Sequence, residues 1–467
     1  MTRFATILLA AGMLAVLVSA ADAEDLDSDI RKPADSAEAV NKAADTAEAA
    51  GLLKSVEDSA DVTYAEILKD PDNIELSYRY AKKQVRDGDL KGASATLERI
   101  LTLSPDMVKV RLVYAVVLYR LDNLIEARRE LKALDSTLLT ESLRGEVKEY
   151  LKRIESRLKR TVINGMLGLG WHYDTNRNAS PSSGQRLFYA TPITLVTGLR
   201  EDDTSALLMA KAGVTHDPGT QAGHTVFAEV SGYRAEQNKV NVLDLQAYSL
   251  RAGGVLKTRR LGEFKPAGEV GQVLLTEKTY LRTHGGDIRW DLRVNQKIGL
   301  FALGQASYQD YVKIQDIPTA TERTGWQTGG LAGANYILRP VIRLTGSLGY
   351  FHKDAKKLYN AYDRYEFKGS LAWLMGKGCF MMGSLILHSD RYMKAEAAVD
   401  YKTKRSDTGL RAGVTLGAPL GFIAEPLTPF LLTATYEQFR SKSNLTNYTY
   451  NNNMTGMMLT YKWDLSL

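Results

Sequence analysis

Met454-Thr-Gly-Met-Met-Leu-Thr-Tyr-Lys-Trp-Asp-Leu-Ser-Leu467 is the stretch of sequence that decides the fold class of this chain. From Met457 to Leu467 every second residue is apolar, and the residues between them, apart from Met458, are polar. A period of two places these apolar side chains on one face of a strand. An apolar face with aromatic residues near its end is typical of a strand that closes a membrane barrel. An edge strand of a soluble sheet is the alternative.

The same period continues through residues 162–467, in segments of about ten residues separated by turn residues. It is clearest in segments 286–295, 342–350 and 364–373, where aromatic and aliphatic side chains occupy one face. With lipid outside, the opposite face would line a wet lumen, and its charged residues are Asp287, Arg289, Asp291, Arg293, Arg343, Arg364, Glu366 and Lys368. Beyond residue 18, no apolar run approaches the roughly 20 residues that a membrane helix needs. The pattern therefore predicts an antiparallel transmembrane β-barrel at 161–467.

The number of strands follows from the connections between them. Fifteen segments are candidates, namely 162–174, 187–199, 204–216, 224–235, 245–256, 263–275, 283–295, 298–311, 325–337, 341–352, 364–375, 378–391, 408–417, 428–438 and 454–467. Bacterial single-chain barrels have an even number of strands and alternate long with short loops. Segment 187–199 breaks this alternation, and its internal Pro192 is poor in a paired strand. We therefore expect fourteen strands, with sixteen as the alternative, and a long outer loop or infolded segment at 175–203.

The first residues predict export across a membrane. Arg3 precedes an apolar run at 4–18, and Ala21-Asp22-Ala23 is a small-x-small cleavage site. We expect a signal peptide at 1–23 and an acidic, Ala-rich tether at 24–52, with a partner-binding arm as the alternative for the tether. The only cysteine, Cys379, excludes an internal disulfide and a cysteine-based zinc site.

A helical pattern with an internal repeat runs through residues 53–160. Six pairs are 34 residues apart, namely Pro71 and Pro105, Tyr80 and Tyr114, Ala81 and Ala115, Leu90 and Leu124, Ala93 and Ala127, and Leu97 and Leu131. This period resembles the tetratricopeptide repeat, a solenoid whose concave groove binds peptides. The resemblance implies a groove lined by Glu75, Tyr78, Lys82, Lys109, Leu112 and Val116. A bracing role for the helices is the alternative. A basic helix at 141–160 would cap the array.

The first barrel strand continues into Gly168-Leu-Gly-Trp-His-Tyr-Asp-Thr-Asn-Arg-Asn-Ala-Ser-Pro181. This string resembles the opening of barrels in the surface lipoprotein assembly modifier family, with matches at Gly168, Gly170, Tyr173, Asp174, Asn176, Asn178 and Ala179. The resemblance implies a type XI secretion outer-membrane protein. Its periplasmic repeats would receive a protein client, either a lipoprotein or a soluble binding protein, and its barrel would deliver the client to the cell surface. The alternative interpretation of Tyr173, Asp174 and Asn176 is an interfacial aromatic followed by turn residues.

Other classes of function fit the sequence less well. The six histidines have no metal-ligand spacing, and no triad or acid pair is assembled, so we expect neither an enzyme nor a cofactor. A net charge of +6 without a basic-aromatic motif does not indicate nucleic acid. An exopolysaccharide export porin is the alternative function, although its polymer path should present aromatic residues. We expect a monomer in the bacterial outer membrane with its helical domain in the periplasm. Its partners would be outer-membrane lipids, the barrel assembly machinery and a secreted or surface-displayed client.

Overall fold

A computed structural model describes residues 63–70, 72–135, 141–220, 222–258 and 260–467 of the chain. The predicted signal peptide, the tether and Pro71 lie outside these residues. The chain divides into two compact units, helices up to Arg160 and strands from Thr161 onward. The expected order, helices followed by a closed antiparallel barrel, is confirmed.

Six helices are present in the described part of the first unit. They are α1 (Tyr64–Lys69), α2 (Ile74–Arg86), α3 (Leu90–Leu103), α4 (Val108–Arg120), α5 (Leu124–Asp135) and α6 (Glu141–Leu158). Polar side chains fix where α2 and α3 begin, because the side chain of Asn73 accepts a hydrogen bond from Leu76 N, and that of Asp89 accepts one from Gly92 N. None of the described helices is long and apolar enough to cross a membrane.

The positions that repeat in the sequence form the core between these helices. Three repeated pairs are completely buried, namely Ala81 and Ala115, Ala93 and Ala127, and Leu97 and Leu131. Small residues at four of these six positions allow neighbouring helices to approach closely. Helix α6 covers the last hairpin with Val147, Tyr150 and Ile154, all of which are buried.

Fourteen strands form the closed barrel of the second unit. They are β1 (Thr161–Asp174), β4 (Asp203–His216), β5 (Thr225–Gln237), β6 (Leu245–Thr258), β7 (Gly262–Leu275), β8 (Lys278–Arg293), β9 (Ile298–Tyr311), β10 (Gly325–Arg339), β11 (Ile342–Lys353), β12 (Tyr362–Leu374), β13 (Phe380–Tyr392), β14 (Ser406–Pro419), β15 (Phe430–Ser443) and β16 (Tyr450–Ser466). Each barrel strand pairs with the next along the chain, and β16 lies beside β1. The predicted strand number and the predicted closing pair are therefore confirmed.

The remaining two strands, β2 (Gln185–Phe188) and β3 (Thr191–Thr194), form a separate two-stranded sheet. The expectation that segment 187–199 is not a barrel strand is confirmed. Other boundaries differ from the prediction: β8 begins at Lys278, five residues before the predicted start at 283, and the predicted loop at 439–453 shrinks to 444–449. Residues 440–443 and 451–453 are polar on both faces, so they carry no period of two.

Alternation along the strands separates two faces. On β8, Ile288 is 57% exposed and faces outward, whereas its neighbour Asp287 faces the lumen and is paired there. The outer face carries exposed aromatic and aliphatic side chains, including Trp171, Tyr365 and Trp463. This distribution is the reverse of a soluble protein, whose apolar side chains point inward.

The two ends of the barrel differ. At the terminal end, Leu467 N donates to Thr161 O (2.8 Å) and Thr161 N donates to Leu467 O (3.4 Å). At the opposite end, called the loop end, the connections include 175–202, 312–324, 354–361, 393–405 and 444–449. Most of the residues that connect the barrel strands therefore lie at the loop end, where their side chains can contribute to a site.

Candidate functional site in the barrel lumen

Carboxylates and cations of the lumen form ion pairs within one strand and between nearby strands. On the wall formed by β6, β7 and β8, Arg251 Nη1 lies 2.6 Å from Asp287 Oδ1, and Lys265 Nζ lies 2.8 Å from Asp291 Oδ2. Arg289 Nε donates to the same Asp291 carboxylate at 3.0 Å. Pairing lowers the cost of placing charges in a partly buried lumen.

A second wall, formed by β12 to β15, carries the same kind of pairs. Arg364 Nε donates to Asp390 Oδ1 (2.7 Å), and Lys368 Nζ lies 3.4 Å from Glu366 Oε1. The two other predicted lumen charges, Arg293 at the end of β8 and Arg343 near the start of β11, lie in register with these faces. Of the eight predicted charges, four lie on β8, one lies on β11 and three lie on β12.

The stretch from Asp174 to Ser180 turns into the lumen, where each of its asparagines bridges two backbones. Asn176 N donates to Asn452 Oδ1 (2.9 Å), and Asn176 Nδ2 donates to Asn451 O and Ser180 O, both at 3.0 Å. These bonds tie the first loop to β16. Asn178 Nδ2 donates to Leu199 O (2.5 Å), and its Oδ1 accepts from Glu201 N (3.2 Å). These bonds tie the two ends of the same loop together.

The other residues of the motif that begins at Gly168 lie in different parts of the barrel. Gly168 and Gly170 lie at the seam with β16, where a Cβ on Gly170 would approach Met457 O to 2.5 Å. Tyr173 lies on the outer face, and its hydroxyl donates to Asp202 Oδ2 (3.0 Å). Ala179 is buried in the lumen in a left-handed conformation at φ 48°.

Asp174 is the centre of a buried charge cluster. Its Oδ2 lies 3.0 Å from His172 Nε2 and 3.2 Å from Arg177 Nη1, and its Oδ1 accepts from Asn452 Nδ2 (2.6 Å). A cavity of about 80 Å³ lies beside this cluster. Its other lining residues include Tyr233, Arg411, Glu437, Phe439 and Tyr450. Arg411 Nη1 and Glu437 Oε1 are 2.6 Å apart, so the cavity lies between two ion-paired groups.

An apolar cluster of buried side chains lies at the loop end of the barrel. It joins Ala179 of the first loop and Tyr450 of β16 to Leu245 of β6 and Tyr311 of β9. The loop between β9 and β10 contributes Ile314, Ile317 and Ala320, and Ile317 is completely buried. Because these residues come from opposite walls, the cluster spans the lumen rather than lining it.

Sequence reasoning missed His172, Arg177, Arg411, Glu437 and Asn452 as members of this site. These residues lie in two widely separated parts of the chain, 172–177 and 411–452, and only the closed barrel brings them together. Arg411 and Glu437 do occupy lumen positions of alternating segments, so the period of two could have identified them. No comparable sequence pattern indicates that the Arg177 side chain lies beside Asp174 in the lumen.

The predicted groove of the helical unit is only partly open. Glu75 and Lys109 are exposed, and Lys82 Nζ lies 4.3 Å from the centre of the Tyr78 ring. Burial, helped by Glu75, raises the pKa of Tyr78 to about 12. Burial also lowers the pKa of Lys82, and the charge of Lys109 acts in the same direction.

The prediction was wrong for the last two groove residues. Leu112 is 2% exposed and Val116 is 6% exposed, and both pack in the core with Tyr150 and Ile154 of α6. In this array α6 occupies the space that a further open groove would need. These two side chains therefore cannot contact a client without displacement of α6.

In the part of the chain that the structure describes, no group of three or more His, Cys, Asp or Glu side chains could hold a metal ion.

Comparison with known proteins gives no family: no protein-family model and no curated protein matches the chain. The resemblance to the surface lipoprotein assembly modifier family therefore stays a prediction.

Solved structures resemble the chain weakly. OpdQ of Pseudomonas aeruginosa is 9% identical, with 66% of this chain and 100% of that chain covered and a TM-score of 0.34. OccAB3 of Acinetobacter baumannii is 8% identical, with 65% and 99% covered and a TM-score of 0.35. The outer membrane protein OpdK from Pseudomonas aeruginosa is 10% identical, with 65% and 99% covered and a TM-score of 0.31. Likenesses of this size carry no functional statement over to this chain.

Proposed function

We propose that this protein is an outer-membrane translocator that receives a periplasmic protein client on its helical unit and delivers it to the cell surface. The client would be a lipoprotein or a soluble binding protein. The barrel passes it through the lumen or along the wall. The Tyr173-Asp174-Asn176 motif resembles the surface lipoprotein assembly modifier family, and this resemblance supports the proposed class of client.

The observation that carries the proposal is the apolar cluster that joins opposite walls at the loop end of the barrel. A passive pore needs an open lumen, whereas here Ala179, Ile317 and Tyr450 belong to one apolar cluster across it. A translocator needs such a seal between clients. It also needs a recruiting element, and the helical unit supplies a candidate surface around Lys82, Lys109 and Glu75.

Deletion of residues 64–135 tests recruitment. The barrel should still assemble, because paired strands satisfy their own backbone groups. Display of a client encoded nearby, measured by protease accessibility on intact cells at constant total client, should fall. Exchange of Lys82 and Lys109 for glutamate should weaken display less, because a surface charge contact contributes about 1 kcal/mol or less.

Matched controls use basic residues of the same unit away from the predicted groove, Lys132 and Lys148, exchanged for glutamate in the same way. Equal losses in both pairs would indicate a general charge effect and contradict a specific groove. Unchanged client display in the deletion strain would contradict recruitment by the helices altogether.

An exopolysaccharide export porin is the second candidate, and one observation favours it. Aromatic rings do face the lumen near the loop end, with Tyr362 and Tyr392 centred 5.2 Å apart and Phe439 and Tyr450 5.5 Å apart. Sugar rings stack on such surfaces. However, Arg405 already lies 4.4 Å from the centre of the Tyr392 ring, which leaves that ring less free to bind a sugar. Loss of a surface polysaccharide in the deletion strain, with client display intact, would favour this candidate.

A further inference from the structure

We propose that the outer face of β13, β14 and β15 carries, at its loop end, a binding site for the phosphate groups of a lipid in the outer leaflet of the membrane. Arg391, Arg440 and Lys442 bind the phosphates, and the side chains of Ser406 and Thr408 lie between these cations. This inference rests on the proposed function only in placing the barrel in the outer membrane with its loop end toward the cell exterior.

All three cations lie on the outer face. Asp390 on β13 and Glu437 on β15 are ion-paired within the lumen. Successive side chains of a strand point to opposite faces, so residues that are one, three or five positions further along the same strand point outward. Arg391, Arg440 and Lys442 occupy these positions, and each is exposed.

Strand register brings the three cations together around β14. Arg391 on β13 is opposite Ser406 on β14, and Thr408 on β14 is opposite Lys442 on β15. Arg440 lies two residues before Lys442, on the same face. Because neighbouring strands are about 4.8 Å apart, the backbones of β13 and β15 are roughly 10 Å apart, with the exposed Ser406 and Thr408 between them.

The cations lie at the border of the apolar outer face. Leu387 precedes Arg391 on the outer face of β13, and Tyr436 precedes Arg440 on that of β15; both are exposed. The Arg391 guanidinium lies 5.7 Å from the centre of the exposed Tyr365 ring, so it stays close to the wall. Long basic side chains above an apolar band reach the level of the lipid headgroups.

These cations differ from the other charges of the barrel because they have no acidic partner. Among the residues that the structure describes, none of the three forms an ion pair with a carboxylate, whereas Arg405 and Arg411 on the lumen face of the same sector each do. The carboxylate opposite Arg391 is that of Asp363, whose Oδ1 accepts from the Tyr350 hydroxyl at 2.8 Å.

Another sector of the loop end shows the opposite arrangement. Arg234 near the end of β5 pairs with Glu236 on the same outer face. Lys239 Nζ, just beyond β5, lies 3.0 Å from Asp202 Oδ1. Both basic residues are exposed, so exposure alone does not explain the lack of acidic partners on β13 and β15.

A phosphorylated lipid supplies the acceptors that this sector lacks. Arginine binds phosphate oxygens through two parallel N–H groups, and lysine binds them as a point charge. The hydroxyls of Ser406 and Thr408 make no hydrogen bond within the described part of the chain and can donate to further oxygens. The exposed Leu387 and Tyr436 contact the acyl chains below, so the site fits a lipid rather than free phosphate.

The test uses purified full-length protein in non-ionic detergent, with lipid A, a diphosphorylated lipid, as the probe. Native mass spectrometry measures the fraction of barrel that carries the lipid during a titration. Arg440→Gln with Lys442→Gln should lower the affinity by about tenfold or more, because each basic residue near an anionic lipid adds to the attraction. Addition of Arg391→Gln, on the other side of β14, should lower it further.

The matched control is Arg234→Gln with Lys239→Gln, which removes the same charge from the same end of the barrel. It should change the affinity by less than about twofold, because these cations are already paired with surface carboxylates. Lipid A treated with phosphatase should bind the unaltered protein and both double variants weakly and equally. Heat-modifiable mobility reports whether each variant has assembled.

Three results would overturn the phosphate site. They are equal affinity of the two double variants for lipid A, no further loss with Arg391→Gln, and unchanged binding to the unaltered protein after phosphatase treatment. No client takes part in these measurements, so failure of client display would leave them unaffected and the two proposals are separable.

Discussion

Asp174 shows how much a single lumen residue holds together. Its carboxylate accepts from Asn452 and lies within 3.2 Å of both His172 Nε2 and Arg177 Nη1. Exchange for alanine leaves Arg177 buried without its counter-charge. We expect a loss of about 3 kcal/mol in the free energy of unfolding, typical of a broken buried pair. Urea titration of the refolded barrel in lipid vesicles would measure it.

Asp202→Ala is the control for that experiment. Asp202 also pairs with a cation, Lys239, and with a tyrosine hydroxyl, but its side chain is exposed. Its loss should cost less than about 1 kcal/mol. Equal destabilisation by the two variants would show that burial of the Asp174 cluster adds nothing to the free energy of unfolding.

Trp463 tests which face of β16 meets lipid. It lies on the outer face with its ring over Gly165, where a Cβ would collide with it. Trp463→Asp should place a charge toward lipid and remove the ring that lies over Gly165, and both changes should reduce the recovered, heat-modifiable barrel. Lys462→Ala, on the lumen face, should assemble as the unaltered chain does. The opposite ranking would mean that the faces are exchanged.

Alternation gives the face of a residue but not its partner. The sequence predicted that Asp287 and Arg289 lie on one face of one strand. It gave no indication that Asp287 pairs with Arg251 of β6, because that contact depends on the register of three strands, β6, β7 and β8. The same reason explains why the Asp174 cluster, built from both ends of the barrel sequence, was missed.

At the scale of elements, turn conformation gives a sharp test in the helical unit. Gly88 joins α2 to α3 with a φ of 85° and has no atom within 4 Å of a Cβ position. Gly88→Ala should therefore destabilise the helices by about 1 kcal/mol through backbone strain alone. Loss of the helical signal at 222 nm on heating would measure it in the full chain.

Gly145→Ala is the same substitution with the opposite expected sign. Gly145 lies inside α6, without a positive φ and with open space around its Cβ position. Alanine should raise helix stability there by up to about 1 kcal/mol. A decrease in helix stability in both variants would contradict the difference that we expect from the backbone conformations of Gly88 and Gly145.

Elements were predicted well where one side of a segment is apolar. Pro192 correctly marked segment 187–199 as unsuitable for the barrel. By contrast, residues 439–453 contain mainly polar residues, so the ends of β15 and β16 were read as loop. The repeat does not predict the burial of Leu112 and Val116. That burial depends on α6, which packs at the place where a further repeat would leave an open groove.

For the whole molecule, the topology predicts which loops face the cell exterior. If the terminal end faces the periplasm, a tag inserted between Lys356 and Lys357 at the loop end should be labelled on intact cells. A tag between Ala424 and Glu425, in the connection 420–429 at the terminal end, should be labelled only after the outer membrane is permeabilised. The reverse labelling would contradict the orientation, while leaving the barrel itself unaffected.

The bonds of the first loop also fix an order of folding. Asn176 and Leu187 bond to residues 276 and 260 positions later in the chain, at Asn452 and Asn447. These partners reach their places only when β16 lies beside β1, so the bonds cannot form before the barrel closes. In refolding experiments, protection of the β2–β3 hairpin from protease should therefore appear no earlier than heat-modifiable mobility. Protection that precedes it would contradict this order.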